Sequence, residues 1–280
     1  MPLLVEPAWL ESRLADPQLR VIDGSWYLPA MKRDARAEYA AAHVPGAVFV
    51  DLATDLADRG AALRNTIASP DALARAFAER GVGSDHRVVV YDGLGGYSAG
   101  RIWWSLRYAG HQNVSILDGG FPRWRAEGRP VTSEVPRHPP ARFAAAPRPE
   151  LLARKADVLR IAREGGAQLV DARSTERFRG TGEEHTRHVG HIPGSKSVPY
   201  DRNLAGDPQR FRSPAELRAL YEEAGVRLDR PIVTTCGSGV TAALDAFALA
   251  LAGHPDAAVY DGSWAEWGDS DDVPVATGEG

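Results

Sequence analysis

The sequence predicts an α/β fold that is built twice along one chain, each half a mostly parallel β-sheet with helices on both faces. Two observations predict this fold. Several motifs recur in the same order at a nearly constant interval. Within each repeat, short β-branched runs alternate with helical patterns, as they do where helical crossovers join parallel strands. In such sheets the carboxyl ends of the strands carry the functional residues.

The duplication is visible in four pairs of segments. The motif LRVIDGSW around Asp23 returns as AQLVDARS around Asp171, and AHVPGAVFV at His43 returns as GHIPGSKSV at His191, both at an interval of 148 residues. SPDALARAFAERGV returns as SPAELRALYEEAGV, and VSILDGGFPRW returns as AAVYDGSWAEW, at intervals of 144 and 143 residues. The chain is therefore predicted to hold two copies of one domain.

A proline-rich stretch separates the two copies. The segment RPVTSEVPRHPPARFAAAPRPE contains six prolines and shows little periodicity, which is typical of an extended linker. We place the first domain at 1–130, the linker at 131–150 and the second domain at 151–280.

The elements follow the same order in both domains. A strand carries VID or LVD, and a glycine-containing turn carries HVPG or HIPG. A helix then begins at Ser-Pro, with Ser69 or Ser213 as N-cap and proline at the first helical position. A buried strand follows, RVVVYD or PIVTTC, and leads into a glycine-containing loop, a second helix and a strand that ends in Asp-Gly.

Composition excludes several classes of function. Of the 280 residues, 44% are apolar and 25% charged, with a net charge of −4; this argues against nucleic-acid and anionic-membrane partners. The single cysteine cannot form an internal disulfide, which fits a reducing compartment. The N-terminus lacks the pattern of a signal peptide, and the apolar run at 246–252 is too short to span a bilayer. We expect a cytoplasmic protein.

The single cysteine, Cys236, follows the predicted buried strand PIVTT and precedes the predicted helix AALDAFALALAG. Gly237 and Gly239 tolerate positive φ, so the loop can curl and point its N–H groups inward at an anion. The N-terminus of the helix adds partial positive charge, which favours a thiolate nucleophile. The alternative is a small buried hydrophobe. Asp92 takes the equivalent position in the first domain, which therefore has no nucleophilic sulfur.

These motifs resemble a known family. DGSWYLP, AHVPGAVFVD, SILDGGFPRW, GHIPG, CGSGVTA and YDGSWAEW are similar to the patterns of tandem-domain rhodaneses, the thiosulfate and 3-mercaptopyruvate sulfurtransferases. The resemblance implies two rhodanese-like domains, the first non-catalytic and the second catalytic. It also implies that Cys236 takes sulfane sulfur from a small donor as a persulfide and passes it to cyanide, a thiol or a thioredoxin, with no metal or organic cofactor.

The resemblance also implies site residues. It assigns catalysis to Cys236, Ser238 and Thr241. It assigns substrate binding to Arg177, Arg187, Gly237, Gly239 and Val240. Arginine suits a donor carboxylate because its guanidinium forms two parallel hydrogen bonds.

The donor is predicted to be 3-mercaptopyruvate, with thiosulfate as the alternative. Relatives with CGSGVT favour mercaptopyruvate, whereas relatives that prefer thiosulfate often carry basic residues where this chain has Gly237 and Ser238. However, mercaptopyruvate enzymes often pair the loop serine with a histidine and an aspartate, and those positions are Asn65 and Ala53 here.

Three other readings carry less weight. His185, His188 and His191 suggest a metal site, but His191 belongs to the repeated turn that contains His43, so we predict a structural role. A phosphatase of the related fold needs an arginine six residues after its cysteine, where this chain has Ala242. A sulfur carrier without turnover would also retain Cys236.

Overall fold

The computed structural model describes residues 1–279, which form two compact units. Unit 1 consists of Met1–Arg59, Ile67–Arg148 and Gly206–Phe211. Unit 2 consists of Gly60–Thr66, Pro149–Ala205 and the residues from Arg212 onward. Each unit thus includes one short segment from the other half of the sequence.

Unit 1 is built on a five-stranded parallel sheet with strand order β1-β5-β4-β2-β3. Its strands are β1 (Leu4–Val5), β2 (Leu19–Asp23), β3 (Ala47–Phe49), β4 (Arg87–Tyr91) and β5 (Val114–Leu117). Its helices are α1 (Pro7–Glu11), the 3-10 helix η1 (Pro29–Met31), α2 (Ala35–Ala41), α3 (Pro70–Glu79), α4 (Ala99–Tyr108) and α5 (Gly120–Ala126).

Unit 2 repeats this sheet with strand order β6-β12-β11-β7-β8, again parallel throughout. Its strands are β6 (Leu152–Ala153), β7 (Gln168–Asp171), β8 (Lys196–Ser197), β11 (Ile232–Thr235) and β12 (Ala258–Tyr260). Its helices are α6 (Lys155–Glu164), α7 (Thr175–Arg179), α8 (Pro214–Glu223), α9 (Val240–Leu251) and α10 (Ser263–Trp267). The remaining short elements are the 3-10 helices η2 (Pro149–Leu151) and η3 (Tyr200–Asn203) and the strands β9 (Leu204–Ala205) and β10 (Arg210–Phe211).

The predicted fold class is confirmed: each unit is a parallel sheet flanked by helices. The strands β4 and β11, which lie in the middle of their sheets, carry the β-branched runs VVV and IVTT, and those residues are buried. The predicted helix starts are also confirmed. Ser69 and Ser213 cap α3 and α8 through their hydroxyl oxygens, and a proline occupies the first turn of each helix.

The repeated histidines have the same structural role in both units. His43 is fully buried, stacks on Tyr39 with ring centroids 4.0 Å apart, and bonds through Nδ1 to the Tyr39 carbonyl. His191 stacks on Phe178 at 3.8 Å and bonds through Nδ1 to the Phe178 carbonyl. The shared packing explains why the HVPG and HIPG turns recur in both halves of the sequence.

The proline-rich stretch forms no helix and no named strand from 131 to 148. These residues belong to unit 1, and their backbone bonds to four other residues of that unit, His43, Ala78, Ser84 and Ala109. Among residues 1–279, no helix combines the length and the apolar character needed to cross a membrane.

The two units differ in the partner of the aspartate that ends β7 in unit 2 and β2 in unit 1. In unit 2, Asp171 pairs with the buried guanidinium of Arg173 at 2.7 Å. In unit 1 the corresponding neighbour is Ser25, whose backbone N–H donates to Asp23 at 2.9 Å. Without a cation, burial raises the pKa of Asp23 to about 6, although the hydrogen bonds from Ser25 lower it.

The Asp23→Asn variant tests this pairing difference. Because the folded pKa lies above the unfolded one, the stability that Asp23 contributes is present at low pH and is lost as the pH rises through about 6. Relative to Asp23→Asn, the wild-type free energy of unfolding should fall by up to about 3 kcal/mol between about pH 4 and pH 7. Denaturant titrations across this range measure the difference.

Asp171→Asn is the matched control in the other repeat. It removes a carboxylate that is paired with Arg173, so it should destabilise the protein at neutral pH instead of flattening the pH dependence. Parallel stability curves for wild type and Asp23→Asn would contradict the interpretation.

Candidate active site

Cys236 lies where the central strand of unit 2 ends. It directly follows β11, and α9 begins at Val240. Strands β12 and β7 flank β11 in parallel, so their carboxyl ends, with the residues that follow them, lie beside the cysteine. The side chain of Cys236 is 2% exposed, and it is a free thiol.

Two backbone N–H groups of the loop point at the sulfur. The N–H of Gly239 donates to Sγ at 3.1 Å, and that of Ser238 donates at 3.4 Å. Gly239 is left-handed with φ of 79°, which turns the chain into the twelve-residue helix α9. Gly237 does not have a positive φ, so the expected backbone freedom is required at Gly239 only. Two amides and a helix N-terminus together stabilise an anionic sulfur.

Ser263 holds the other side of the loop. Its hydroxyl oxygen accepts the N–H of Cys236 at 3.1 Å, donates to the carbonyl of Tyr260 at 2.8 Å and lies 4.0 Å from Sγ. Ser263 is fully buried and has a φ of 50°, which is unusual for a residue other than glycine. The carbonyl of Cys236 in turn accepts the N–H of Trp264 at 2.9 Å.

The first repeat contains the same loop around a carboxylate. Asp92 follows β4 as Cys236 follows β11, and four backbone N–H groups donate to its two oxygens at 2.7 to 2.9 Å. The carbonyl of Asp92 accepts the N–H of Phe121, as that of Cys236 accepts the N–H of Trp264. The loop of unit 1 is thus occupied by its own anion, whereas that of unit 2 surrounds a sulfur.

A chain of ion pairs positions Arg177 at the cysteine loop. Asp171 pairs with Arg173, which is 1% exposed, and Arg173 bonds to Glu184 at 2.9 Å. Glu184 is 3% exposed and accepts Nε of Arg177 at 2.7 Å and Nη2 at 2.9 Å. The buried carboxylate fixes one edge of the Arg177 guanidinium, so the arginine is oriented by the protein before any ligand binds.

The free edge of that guanidinium faces Gly237. A Cβ at position 237 would lie 3.2 Å from Nη2 and 3.4 Å from Nη1 of Arg177. The loop carries no basic side chain of its own, but α7 supplies a cation beside it. The guanidinium is 37% exposed and can therefore meet an anion from solution.

The other predicted residues occupy different environments. Val240 and Thr241 are buried in the first turn of α9, and Ser238 is partly exposed. Arg187 lies at the surface, where its side chain pairs with Asp271 at 2.8 Å and its N–H donates to Asp269. The structure thus places Arg177 against the cysteine loop, whereas Arg187 contacts Asp269 and Asp271 at the surface.

Two residues that the sequence reasoning did not assign contact the site. Ser263 follows the end of β12, and its segment is part of the repeated Asp-Gly pattern, so its position beside β11 could have indicated it. Glu184 has no comparable signal, because it lies in a loop between Arg177 and the HIPG turn. Ala242 is fully buried within α9, so the position at which a phosphatase would need an arginine carries no cation.

Comparison with known proteins agrees with this geometry. The model of the rhodanese-like domain matches twice, at residues 6–127 and 155–270. Thiosulfate sulfurtransferase of Bos taurus is 42% identical over 273 residues, which cover 94% of this chain and 91% of that protein. 3-Mercaptopyruvate sulfurtransferase of Homo sapiens is 39% identical over 272 residues, with the same coverage.

A solved structure extends the likeness to three dimensions. The crystal structure of SseA from Escherichia coli, described among 3-mercaptopyruvate sulfotransferases with the rhodanese fold, matches with a TM-score of 0.86 and 36% identity. The match covers 94% of this chain and 99% of SseA. The resemblance predicted from the motifs is confirmed: this chain belongs to the rhodanese-like family and carries its domain twice.

Proposed function

We propose that this chain is a sulfurtransferase that carries sulfane sulfur as a persulfide on Cys236. The observation that supports the proposal most strongly is the sulfur at the end of β11, to which two backbone N–H groups donate. Relatives that match over most of both chains are thiosulfate and 3-mercaptopyruvate sulfurtransferases. The first unit, with Asp92 in place of a thiol, is the non-catalytic partner.

The reaction has two displacement steps. The Cys236 thiolate attacks the donor sulfur, forms a new S–S bond and breaks the bond between that sulfur and the rest of the donor, which departs with the electron pair. The outer sulfur of the persulfide carries the negative charge. An acceptor such as cyanide or a thiolate then attacks this sulfur, and the Cys236 thiolate leaves. The inward N–H groups stabilise the anion in each state, as an oxyanion hole stabilises oxygen. Ser238, Gly239 and Val240 form this part of the loop, and Thr241 follows them in the first turn of α9.

Arg177 binds the anionic part of the donor in this proposal. Glu184 holds one edge of its guanidinium, and the other edge faces Gly237. A carboxylate fits such an edge with two parallel hydrogen bonds. Arg187 remains a second substrate arginine by resemblance, although its side chain is paired with Asp271 at the surface.

We propose 3-mercaptopyruvate as the preferred donor. The single carboxylate of this donor can be bound by one cation, and Arg177 supplies one cation beside the loop. When its C–S bond breaks, the electron pair passes to the pyruvate enolate, which then takes a proton at carbon. Asn65 and Ala53 stand where related enzymes carry a histidine and an aspartate, so this proton comes from water.

Thiosulfate is the second candidate. Its sulfite leaving group needs no proton from a side chain. The presence of Asn65 and Ala53 in place of the histidine and the aspartate of related enzymes therefore should not slow that reaction. Relatives that are 42% identical are thiosulfate sulfurtransferases. The loop of this chain, with Gly237 and Ser238, offers the dianion fewer cations than a basic loop would.

The acceptor and the cellular location also belong to the proposal. A thiol, a thioredoxin or cyanide would collect the sulfur, because each is a nucleophile that attacks a persulfide. We propose that the reaction takes place in the cytoplasm, where a chain with one free thiol is kept reduced.

Cys236→Ser tests the persulfide. Sulfur transfer from both donors should fall by about 10³-fold or more, because a hydroxyl in this position is not ionised. After incubation of the wild type with donor, mass spectrometry should find the mass of one added sulfur atom on the peptide that contains Cys236. Circular dichroism should show that the variant is folded. Undiminished turnover by Cys236→Ser, or a wild type that takes up no sulfur, would overturn the proposal.

Ser238→Lys tests the choice of donor. A second cation next to Arg177 should favour the thiosulfate dianion over the mercaptopyruvate monoanion by about tenfold in the ratio of kcat/KM values. Steady-state kinetics with both donors measure this ratio, and Ser238→Gln controls for side-chain length without charge. An unchanged ratio would show that cations at the loop do not set the preference.

The role of Ser263 follows from its backbone. Its counterpart in the first repeat is Gly120, which has a φ of 55°. A serine in this left-handed conformation costs about 1 kcal/mol relative to glycine. Glycine would adopt this conformation at a lower energy than serine. We therefore infer that the serine side chain contributes something else, which is to accept the N–H of Cys236 and fix the loop.

Two substitutions of Ser263 separate the hydroxyl from the backbone. Ser263→Gly and Ser263→Ala both remove Oγ, and the rate of sulfur transfer should fall by about tenfold in each. Ser263→Gly relieves the left-handed strain, so its free energy of unfolding should exceed that of Ser263→Ala by about 1 kcal/mol. Kinetics and denaturant titrations on the same preparations measure both. If the loss of rate followed stability and affected only Ser263→Ala, the hydroxyl would have no role in catalysis.

A further inference from the structure

A carboxyl group is buried on the helix that follows Cys236 and has no part in the reaction described above. Asp245 lies on α9, the helix that begins at the cysteine loop, and it is fully buried. Asn203, at the end of η3, donates its Nδ2 hydrogen to Oδ1 of Asp245 at 2.9 Å. Asn203 is fully buried as well. An acidic residue in the interior of an apolar helix requires an explanation.

The hydrogen bonds indicate that Asp245 keeps its proton. Oδ2 of Asp245 and Oδ1 of Asn203 are both buried acceptors without a donor. They belong to two side chains that are already joined by the Nδ2–Oδ1 bond. One proton on Oδ2 can satisfy both atoms at once, because the acid then donates to the amide oxygen while the amide donates to the acid.

The charges around Asp245 favour the same state. Burial raises the pKa of Asp245 well above its usual range, and the negative charges of Cys236, Asp171 and Asp201 raise it further, whereas the bond from Asn203 lowers it. Tyr221 of α8 donates to the Asp245 carbonyl and stays neutral, because burial raises its own pKa. The titratable groups near Asp245 on the loop, β7 and η3 thus oppose its ionisation whenever they are charged, and the one on α8 is neutral.

We propose that Asp245 is a positioning residue for the Cys236 anion: as a neutral acid paired with Asn203 it adds no charge to the interior behind the cysteine loop, and as an anion it opposes the thiolate and anionic donors. This inference rests on the proposed function only in taking Cys236 as the reactive thiol. The coupling is mutual, because two nearby groups of like charge each disfavour the ionisation of the other. Loss of the Asp245 proton at alkaline pH therefore makes the pocket more negative without touching the substrate.

The single cysteine makes this proposal testable without sulfur transfer. Iodoacetamide and iodoacetate modify thiolates by the same displacement, but only iodoacetate is anionic. The ratio of their rates removes the common dependence on thiolate formation and reports the local charge. As the pH rises and Asp245 loses its proton, the rate with iodoacetate should fall relative to iodoacetamide by about tenfold in the wild type.

Asp245→Asn is the decisive variant. Its side chain has the size of the neutral acid and cannot ionise, so at neutral pH its rates should match the wild type, and its ratio should stay flat as the pH rises. Asp201→Asn is the matched control: it removes an exposed carboxylate on η3 but leaves Asp245 able to ionise, so the ratio should still fall as the pH rises. A flat ratio in the wild type, or the same fall in Asp245→Asn, would overturn the proposal.

Infrared spectroscopy supplies a readout that does not depend on the thiol. The wild-type minus Asp245→Asn difference spectrum at neutral pH should contain the carbonyl band of one protonated carboxyl group, and the band should disappear at alkaline pH. A carboxylate band in its place would show that Asp245 is ionised and would overturn the inference. Because neither experiment uses a sulfur donor, an enzyme that failed to form a persulfide could still confirm or refute the role of Asp245.

Discussion

The structure depends on one constraint, which is that a turn of inward-facing N–H groups at the end of a central strand requires an anion. Both units meet this constraint at the same place. In unit 1 the carboxylate of Asp92 receives four backbone N–H groups, so the loop is satisfied and has no site left for a ligand. In unit 2 two such groups donate to the sulfur of Cys236, which as a thiolate would be a larger and softer anion. The same backbone therefore gives a structural turn in one copy and the proposed nucleophile in the other.

A few side chains around the loop separate the two copies. Arg173 replaces Ser25, Ser263 replaces Gly120, and Cys236 replaces Asp92. Arg173 begins the ion-pair chain through Glu184 that fixes Arg177. Ser263 binds the N–H of the cysteine at the expense of a strained backbone. The first two replacements add a charge or a polar contact, and the third exchanges a carboxylate that four N–H groups satisfy for a thiol, which is the pattern expected when function is added to a stable scaffold.

The sequence was sufficient to predict the fold because the same motifs occur in both halves of the chain. The order of elements along the chain, the helix starts and the equivalence of Asp92 with Cys236 followed from motifs such as VVVYD and IVTTC, in which short-range patterns determine local structure. The site was only partly predictable. Gly239 and the position of Cys236 are local features, but Glu184 reaches Arg177 from an irregular loop, and Asp245 looks like any helical residue until its burial is known. Contacts between distant segments depend on packing, and a single sequence does not record packing.

The balance of charge explains why the proton on Asp245 matters. Beside the cysteine loop, the charges of Arg173 and Arg177 are balanced by the carboxylates of Asp171 and Glu184, so these four groups add no net positive charge. An anion at Cys236 is then stabilised mainly by dipoles, namely the N–H groups of the loop and the N-terminus of α9. Dipoles fall off faster with distance than charges do, and they cannot neutralise a second anion in the same interior. A buried carboxyl on α9 is therefore compatible with a reactive sulfur only while it is protonated, and Asn203 is the group that makes the protonated form fit.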